Sequence, residues 1–221
     1  MNVHEVYDLL AARLPHHAGS SVTGLTPSPV SAFGDQAWLR EHMALTGRLY
    51  GSGDDIVAGT VFWYSSSSML LAPTIESMLA TGTAFDPASV SLYVRADGRF
   101  LGARATTVCA DPADRLRAVI ESCVAAIAAE TGAHIRSLWA IASDSLANRV
   151  LWAGGLPADA VTLASAVGVE LPVPRFVEVG GQPVVRRSSC CLIYETSSSG
   201  KCVSCPRQTP AERMERLRSR F

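Results

Sequence analysis

Apolar residues recur at helical spacing from the start of the chain. Val3, Tyr7, Leu10 and Leu14 fall on one stripe and predict an amphipathic helix over the first fourteen residues. A loop, HHAGSSVTGLTPSPVS, follows, and a second helix is predicted from Asp35 to Tyr50, with Trp38, Leu39, Met43, Leu45 and Leu49 as its apolar surface and Gly51 as its stop. The stretch from Ile56 to Ile75 contains no charged residue and is about the length that spans a bilayer. Four consecutive serines, Pro73, the acidic neighbours Asp54, Asp55 and Glu76 and the lack of flanking basic residues predict a central helix buried by its neighbours instead. Its aromatic run Phe62, Trp63, Tyr64 reads as core packing, with the wall of a ligand pocket as the other reading.

The pattern then changes period. Val90–Val94 and Arg99–Ala103 flank Ala96-Asp97-Gly98, the turn chemistry of a β-hairpin. Asp111 and Pro112 read as the cap and first residue of a helix whose stripe is Leu116, Val119, Ile120, Cys123, Val124 and Ile127. On that stripe Cys123 reads as a small buried hydrophobe, and Cys109 receives the same reading. A further helix is expected from Ser137 to Gly154, with Leu138, Trp139, Leu146 and Val150 inside, and a short one from Ala158 to Val167. RFVEV and PVVRR, separated by Gly180-Gly181, predict a second hairpin that runs directly into Cys190. Thr209-Pro210-Ala211-Glu212 is a capping box opening a terminal helix, with Met214, Leu217 and Phe221 on one face and its arginines solvated. These elements predict an α+β fold: a mainly helical body over residues 1–175 with one β-hairpin, and a C-terminal segment over 176–221.

Composition narrows the function classes. With 48% hydrophobic and 18% charged residues, 221 residues suffice for one sizeable core. A net charge of −1 gives no global field for nucleic acid. Eight of the nineteen basic residues nevertheless lie in the last thirty-six positions, among them Arg186, Arg187, Lys201 and Arg207. MNVHEVYDLLAARLPHH lacks the apolar core of a secretory signal, so a cytoplasmic location and no membrane span are expected. His16 and His17, adjacent and without a spaced partner, read as solvated loop residues. No acid–base pair, Walker loop or nucleotide fingerprint is found, and Gly51-Ser52-Gly53 is followed by acids that repel phosphate.

Four of the six cysteines fall between Cys190 and Cys205, spaced C-C-x10-C-x2-C and followed by Pro206. In a reducing compartment such a set points to a metal centre, iron–sulfur or zinc, rather than to disulfides. Zinc sites present two C-x-x-C-like knuckles, whereas here only Cys202 and Cys205 have that gap. Adjacent Cys190 and Cys191 face opposite sides of an extended strand, a spread that two irons accommodate better than one zinc. The spacing is neither the plant nor the bacterial ferredoxin pattern.

RRSSCCLIYETSSSGKCVSCP, Arg186 to Pro206, resembles the C-terminal signature of the ferric siderophore reductases of the FhuF-like family. The resemblance implies a [2Fe-2S] cluster with Cys190, Cys191, Cys202 and Cys205 as ligands. It also implies one-electron reduction of a ferric siderophore, releasing Fe(II) in the cytoplasm, with electrons from an external donor such as a ferredoxin or an NAD(P)H-dependent reductase. No residue outside the four cysteines receives a catalytic role. The alternatives are a [2Fe-2S] electron-transfer or redox-sensing protein without a siderophore substrate, and a zinc-stabilised interaction protein.

Overall fold

The computed structural model describes residues 1–220; Phe221, assigned by sequence to the last helix's apolar face, lies outside the described residues. The architecture is α+β, with seven α-helices and short antiparallel strands among the described residues. At its centre is α3, Asp55–Thr81, preceded by α1, Val3–Arg13, and α2, Gln36–Tyr50. Asp54 caps α3 by accepting from Val57 N–H, and Gly82 ends it in the left-handed conformation. Helix α3 runs through Pro73, which is itself buried. Packing on nearly all sides offsets the roughly 3 kcal/mol that an interior proline costs. Among the described residues no helix is long and apolar enough to cross a membrane.

The serine run inside α3 has a packing role. Ser66 and Ser67 are fully buried, and Ser67 Oγ lies 2.8 Å from Ser145 Oγ on α5, Ile135–Trp152. Small side chains let the two helix backbones approach, and the shared hydrogen bond satisfies both hydroxyls. Trp63 Nε1 donates to Leu138 O at 2.8 Å in the same interface. A buried ion pair, Arg149 Nη1 to Glu76 Oε1 at 3.0 Å, closes the far end, with Arg149 Nε donating to Ser68 O one turn before Pro73. Helices α4, Pro112–Thr131, and α6, Pro157–Val167, complete the body. Asp111 occupies the cap position of α4 but makes no side-chain cap bond. Cys123 is buried in the core, as its stripe position predicts.

Strand β1, Thr26–Pro29, pairs antiparallel with β3, Ser91–Val94, and β3 pairs with β4, Phe100–Arg104, in the predicted hairpin. The loop reading concealed β1 because Pro27 and Pro29 lack the N–H of a ladder donor, which a short edge strand tolerates. A two-residue pair, β2 (Ala84–Phe85) with β5 (Val108–Cys109), also lies below the length at which alternation is readable. One histidine expectation is corrected: His16 is exposed, but His17 is buried. The loop turns back on the sheet, with Ala103 N–H donating to Ala18 O, and His17 Nδ1 accepts from Gly19 N–H at 3.0 Å. Burial, with Arg104 nearby, holds its imidazole below the usual range and hence neutral.

The second hairpin is β6, Phe176–Val179, with β7, Gln182–Val185, and after the cysteine loop comes α7, Pro210–Arg218. The Thr209–Glu212 capping box forms as predicted. Not all the arginines of α7 are solvated: Arg213 shares the buried face with Leu217 four residues on, because that face docks near β6. The cysteine loop is also held at the end of α2, where Ser197 N–H donates to Gly51 O. Gly51 has φ +72°, and a Cβ there would overlap the Ser197 side chain, so only glycine fits this approach.

Candidate metal centre

Strand β7 ends at buried Val185, and the chain then anchors on α5. Ser188 N–H donates to both carboxylate oxygens of Asp144, at 3.0 and 3.1 Å, and Ser189 N–H adds a further bond. Asp144 is 3% exposed. Burial pushes its carboxyl up to about 6, against the pull of the Ser188 amide and of Arg187, whose Nε lies 3.6 Å away. Next comes an unusual backbone step. Leu192 adopts φ 61°, a conformation a branched residue enters at a cost of roughly 1–2 kcal/mol. This left-handed step, leading into a 3₁₀ turn at Ile193–Glu195, aims the Leu192 amide at the Cys190 sulfur and the Ile193 amide at that of Cys191. The second half of the loop is closed by Cys205 N–H to Cys202 O, and by buried Gln208, whose Nε2 donates to Cys202 O at 2.6 Å.

The four sulfurs come together as two pairs. Cys190 Sγ and Cys205 Sγ are 3.8 Å apart. Cys191 Sγ and Cys202 Sγ each lie 3.5 Å from one nitrogen, Nη1 of Arg187. Two thiolates on one tetrahedral ion at about 2.3 Å stand roughly 3.8 Å apart, which is the separation of the first pair. Among the described residues no three His, Cys, Asp or Glu side chains gather about a single point. Cys190 and Cys205 thus stand together, and Cys191 and Cys202 share one guanidinium nitrogen. Adjacent Cys190 and Cys191 have different neighbours, Cys205 for the first and Arg187 for the second.

Charge in the loop is organised by Arg187, which is 5% exposed. Burial opposes its charge, but Cys191, Tyr64 and Cys202 more than offset this and hold it cationic above the usual range. Its guanidinium carbon sits 4.5 Å from the Tyr64 ring centroid, a cation–π contact. A hydrogen bond from the Cys202 thiol, then Arg187, hold Cys191 down to about 5, while the same bond and burial push Cys202 up. Cys190 is pushed up to about 11, chiefly by burial.

A family model described as the FhuF 2Fe-2S C-terminal domain matches residues 187–207. The chain carries a FhuF-type [2Fe-2S] domain. A [2Fe-2S] cluster is the cofactor of that domain, and with it comes a redox role. No curated protein matches the chain. The residues present fit the group: an all-thiol donor set, one sulfur pair at the spacing of a shared metal, and a buried cation beside the other pair.

Of the basic residues singled out by sequence, Arg187 is buried at the sulfurs, whereas Arg186, Lys201 and Arg207 are exposed. Asp144 was missed, since a single acid in a long helix gives no sequence signal. Phe62 and Trp63 belong to the core as expected, but Tyr64 is 38% exposed and stands in the wall of a cleft of about 600 Å³ that reaches Cys202 and Arg187. A hollow of about 330 Å³ flanks the other pair at Cys190 and Arg207. Cys109, on β5, donates to Phe85 O at 3.7 Å.

Proposed function

We propose that this protein is a ferric siderophore reductase in which Cys190, Cys191, Cys202 and Cys205 hold the [2Fe-2S] cluster, Cys190 with Cys205 on one iron and Cys191 with Cys202 on the other. The observation that carries this reading is the pairing of the sulfurs, with Cys190 and Cys205 3.8 Å apart and Arg187 Nη1 3.5 Å from both Cys191 and Cys202. When bound, the cluster supplies a one-electron carrier. The side chains around it prepare the site for added negative charge. Arg187 Nη1 donates to two sulfurs and favours their thiolate forms. Asp144 holds the amides of Ser188 and Ser189 and faces Arg187, fixing the guanidinium against the loop. Cys191 and Cys205, each 1% exposed, keep water from half of the sulfurs.

The proposed reaction moves one electron. Fe(III) in the siderophore is reduced to Fe(II), a ferredoxin or NAD(P)H-dependent reductase is oxidised by the same electron, and no covalent bond forms. Ferrous iron is a softer cation than ferric, so the hard oxygen ligands of the siderophore release it. In this scheme residues 1–175 receive the chelate, residues 176–221 carry the cluster, and the reaction belongs to the cytoplasm. The test mixes anaerobically reduced protein with ferric hydroxamate, catecholate and carboxylate chelates. Return of the oxidised visible spectrum, with Fe(II) trapped by a ferrous-specific dye, is expected for at least one chelate. A protein that stays reduced across the whole panel refutes the reading.

A second reading, an electron-transfer or redox-sensing protein without a siderophore, draws on the exposed Arg186, Lys201 and Arg207 around the loop, which suit an acidic protein partner. A stable partner, with no chelate-dependent change in the cluster spectrum, would favour it.

A further inference from the structure

We infer that the cleft between α3, α5 and the cysteine loop is the chelate-binding site, and that it selects a neutral or anionic oxygen-ligand ferric chelate through the unpartnered Nη2 of Arg187. This assignment rests on the reductase reading and adds the place and chemistry of recognition. Several independent features meet in the cleft. Its volume of about 600 Å³ lies within the range of small-molecule sites, and Cys202 is part of its wall. A chelate seated there lies against one of the sulfurs proposed to hold the cluster, which is the proximity that one-electron transfer needs.

The chemistry of the wall is suited to such a ligand. Arg187 spends Nη1 on Cys191 and Cys202 and turns its Nε to Asp144 Oδ2 at 3.6 Å, while its Nη2 is buried without a hydrogen-bond partner. Buried guanidinium donors left unsatisfied cost more than a made hydrogen bond returns, so the site asks for an acceptor. Carbonyl or negatively charged oxygens supply one, and such oxygens are what a ferric chelate presents. Arg220 adds a second positive charge to the lining, whose single carboxylate, Asp144, already serves the Ser188 amide and faces Arg187. The local balance therefore favours a neutral or negative guest over a cationic one.

The rest of the lining supplies apolar surface. Trp152 is 60% exposed, far above what an indole in a core would show, and its ring is fixed from behind by Arg149 at 5.0 Å from its centroid. Tyr64 is a second aromatic residue in the wall. Rigid rings with a polar floor grip the organic arms of a chelate at low entropic cost.

The experiment uses the cluster-loaded protein and the redox-inert gallium(III) complexes of a trihydroxamate, a tricatecholate and citrate, read by tryptophan fluorescence. At least one gallium complex should quench the wild-type signal saturably, and Trp152→Phe should lose most of that quench. Asn148→Trp, which fills the cleft from a partly buried position on α5, should weaken binding at least tenfold with the cluster's visible spectrum and the helical circular dichroism unchanged. If Asn148→Trp binds the gallium complex and reoxidises with its ferric counterpart as wild type does, the cleft assignment is overturned while the reductase reading stands. If no gallium complex binds and no ferric chelate reoxidises the wild type, both fall together.

Discussion

Replacing Arg187 by glutamine removes a positive charge 3.5 Å from two of the proposed cluster sulfurs. At an effective dielectric constant of about 20, a unit charge at that distance stabilises an added electron by roughly 4.7 kcal/mol. Asp144 opposes it. Its carboxylate lies 3.6 Å beyond Arg187 Nε, and at roughly twice the distance it takes back about half of that energy. In the variant, Asp144, already pushed up to about 6 by burial, loses its cationic neighbour and takes a proton more readily. The net loss is then about 2.3 kcal/mol, or on the order of 100 mV at 2.3 kcal/mol per 100 mV. Because the cation favours the more negative reduced form, its removal lowers the midpoint potential. The assay is an anaerobic dye-mediated redox titration followed in the visible spectrum. Asp144→Asn should move the potential the other way by a similar amount, and exposed Arg218→Gln should leave it nearly unchanged through solvent screening. A cluster that binds normally in Arg187→Gln but titrates within about 30 mV of wild type would refute the electrostatic argument.

Three further outcomes follow from the geometry. Cys202→Ser should cut bound iron well below the roughly two per chain of a [2Fe-2S] protein, whereas Cys109→Ser should leave iron and visible spectrum intact, as metal analysis would show. Glu76→Ala leaves buried Arg149 without its partner and should cost about 3–5 kcal/mol in urea unfolding; a loss below about 1 kcal/mol would mean the arginine finds water instead. Asp144 is ionised above about pH 6 and neutral below it, so loss of its negative charge on acidification should raise the midpoint potential between pH 7 and 5. Asp144→Asn should flatten that slope.

Much of the helical body was legible in the sequence because its signals are local. The stripe of α4, the Thr209–Glu212 capping box of α7 and the Gly180-Gly181 turn between β6 and β7 depend on residues within a few positions of one another, and they formed where period and turn chemistry put them. The four clustered cysteines, too, were visible as spacing. What the spacing left open was how they divide, and folding supplied that through the left-handed step at Leu192 and the closing bond from Gln208. The surroundings of the site were beyond local pattern altogether. Asp144 and Tyr64 are separated from Arg187 by the end of α5 with all of α6 and by the whole middle of the chain, yet they meet at one guanidinium because the serine-lined faces of α3 and α5 bring those helices together. Sequence by itself determined the helices, the two hairpins and the metal chemistry, since propensity, capping and thiol softness are properties of neighbouring residues. Only the tertiary structure decided the burial of Arg187, its unpartnered Nη2 and the cleft beside Cys202, because desolvation and enclosure exist only once distant surfaces have packed together.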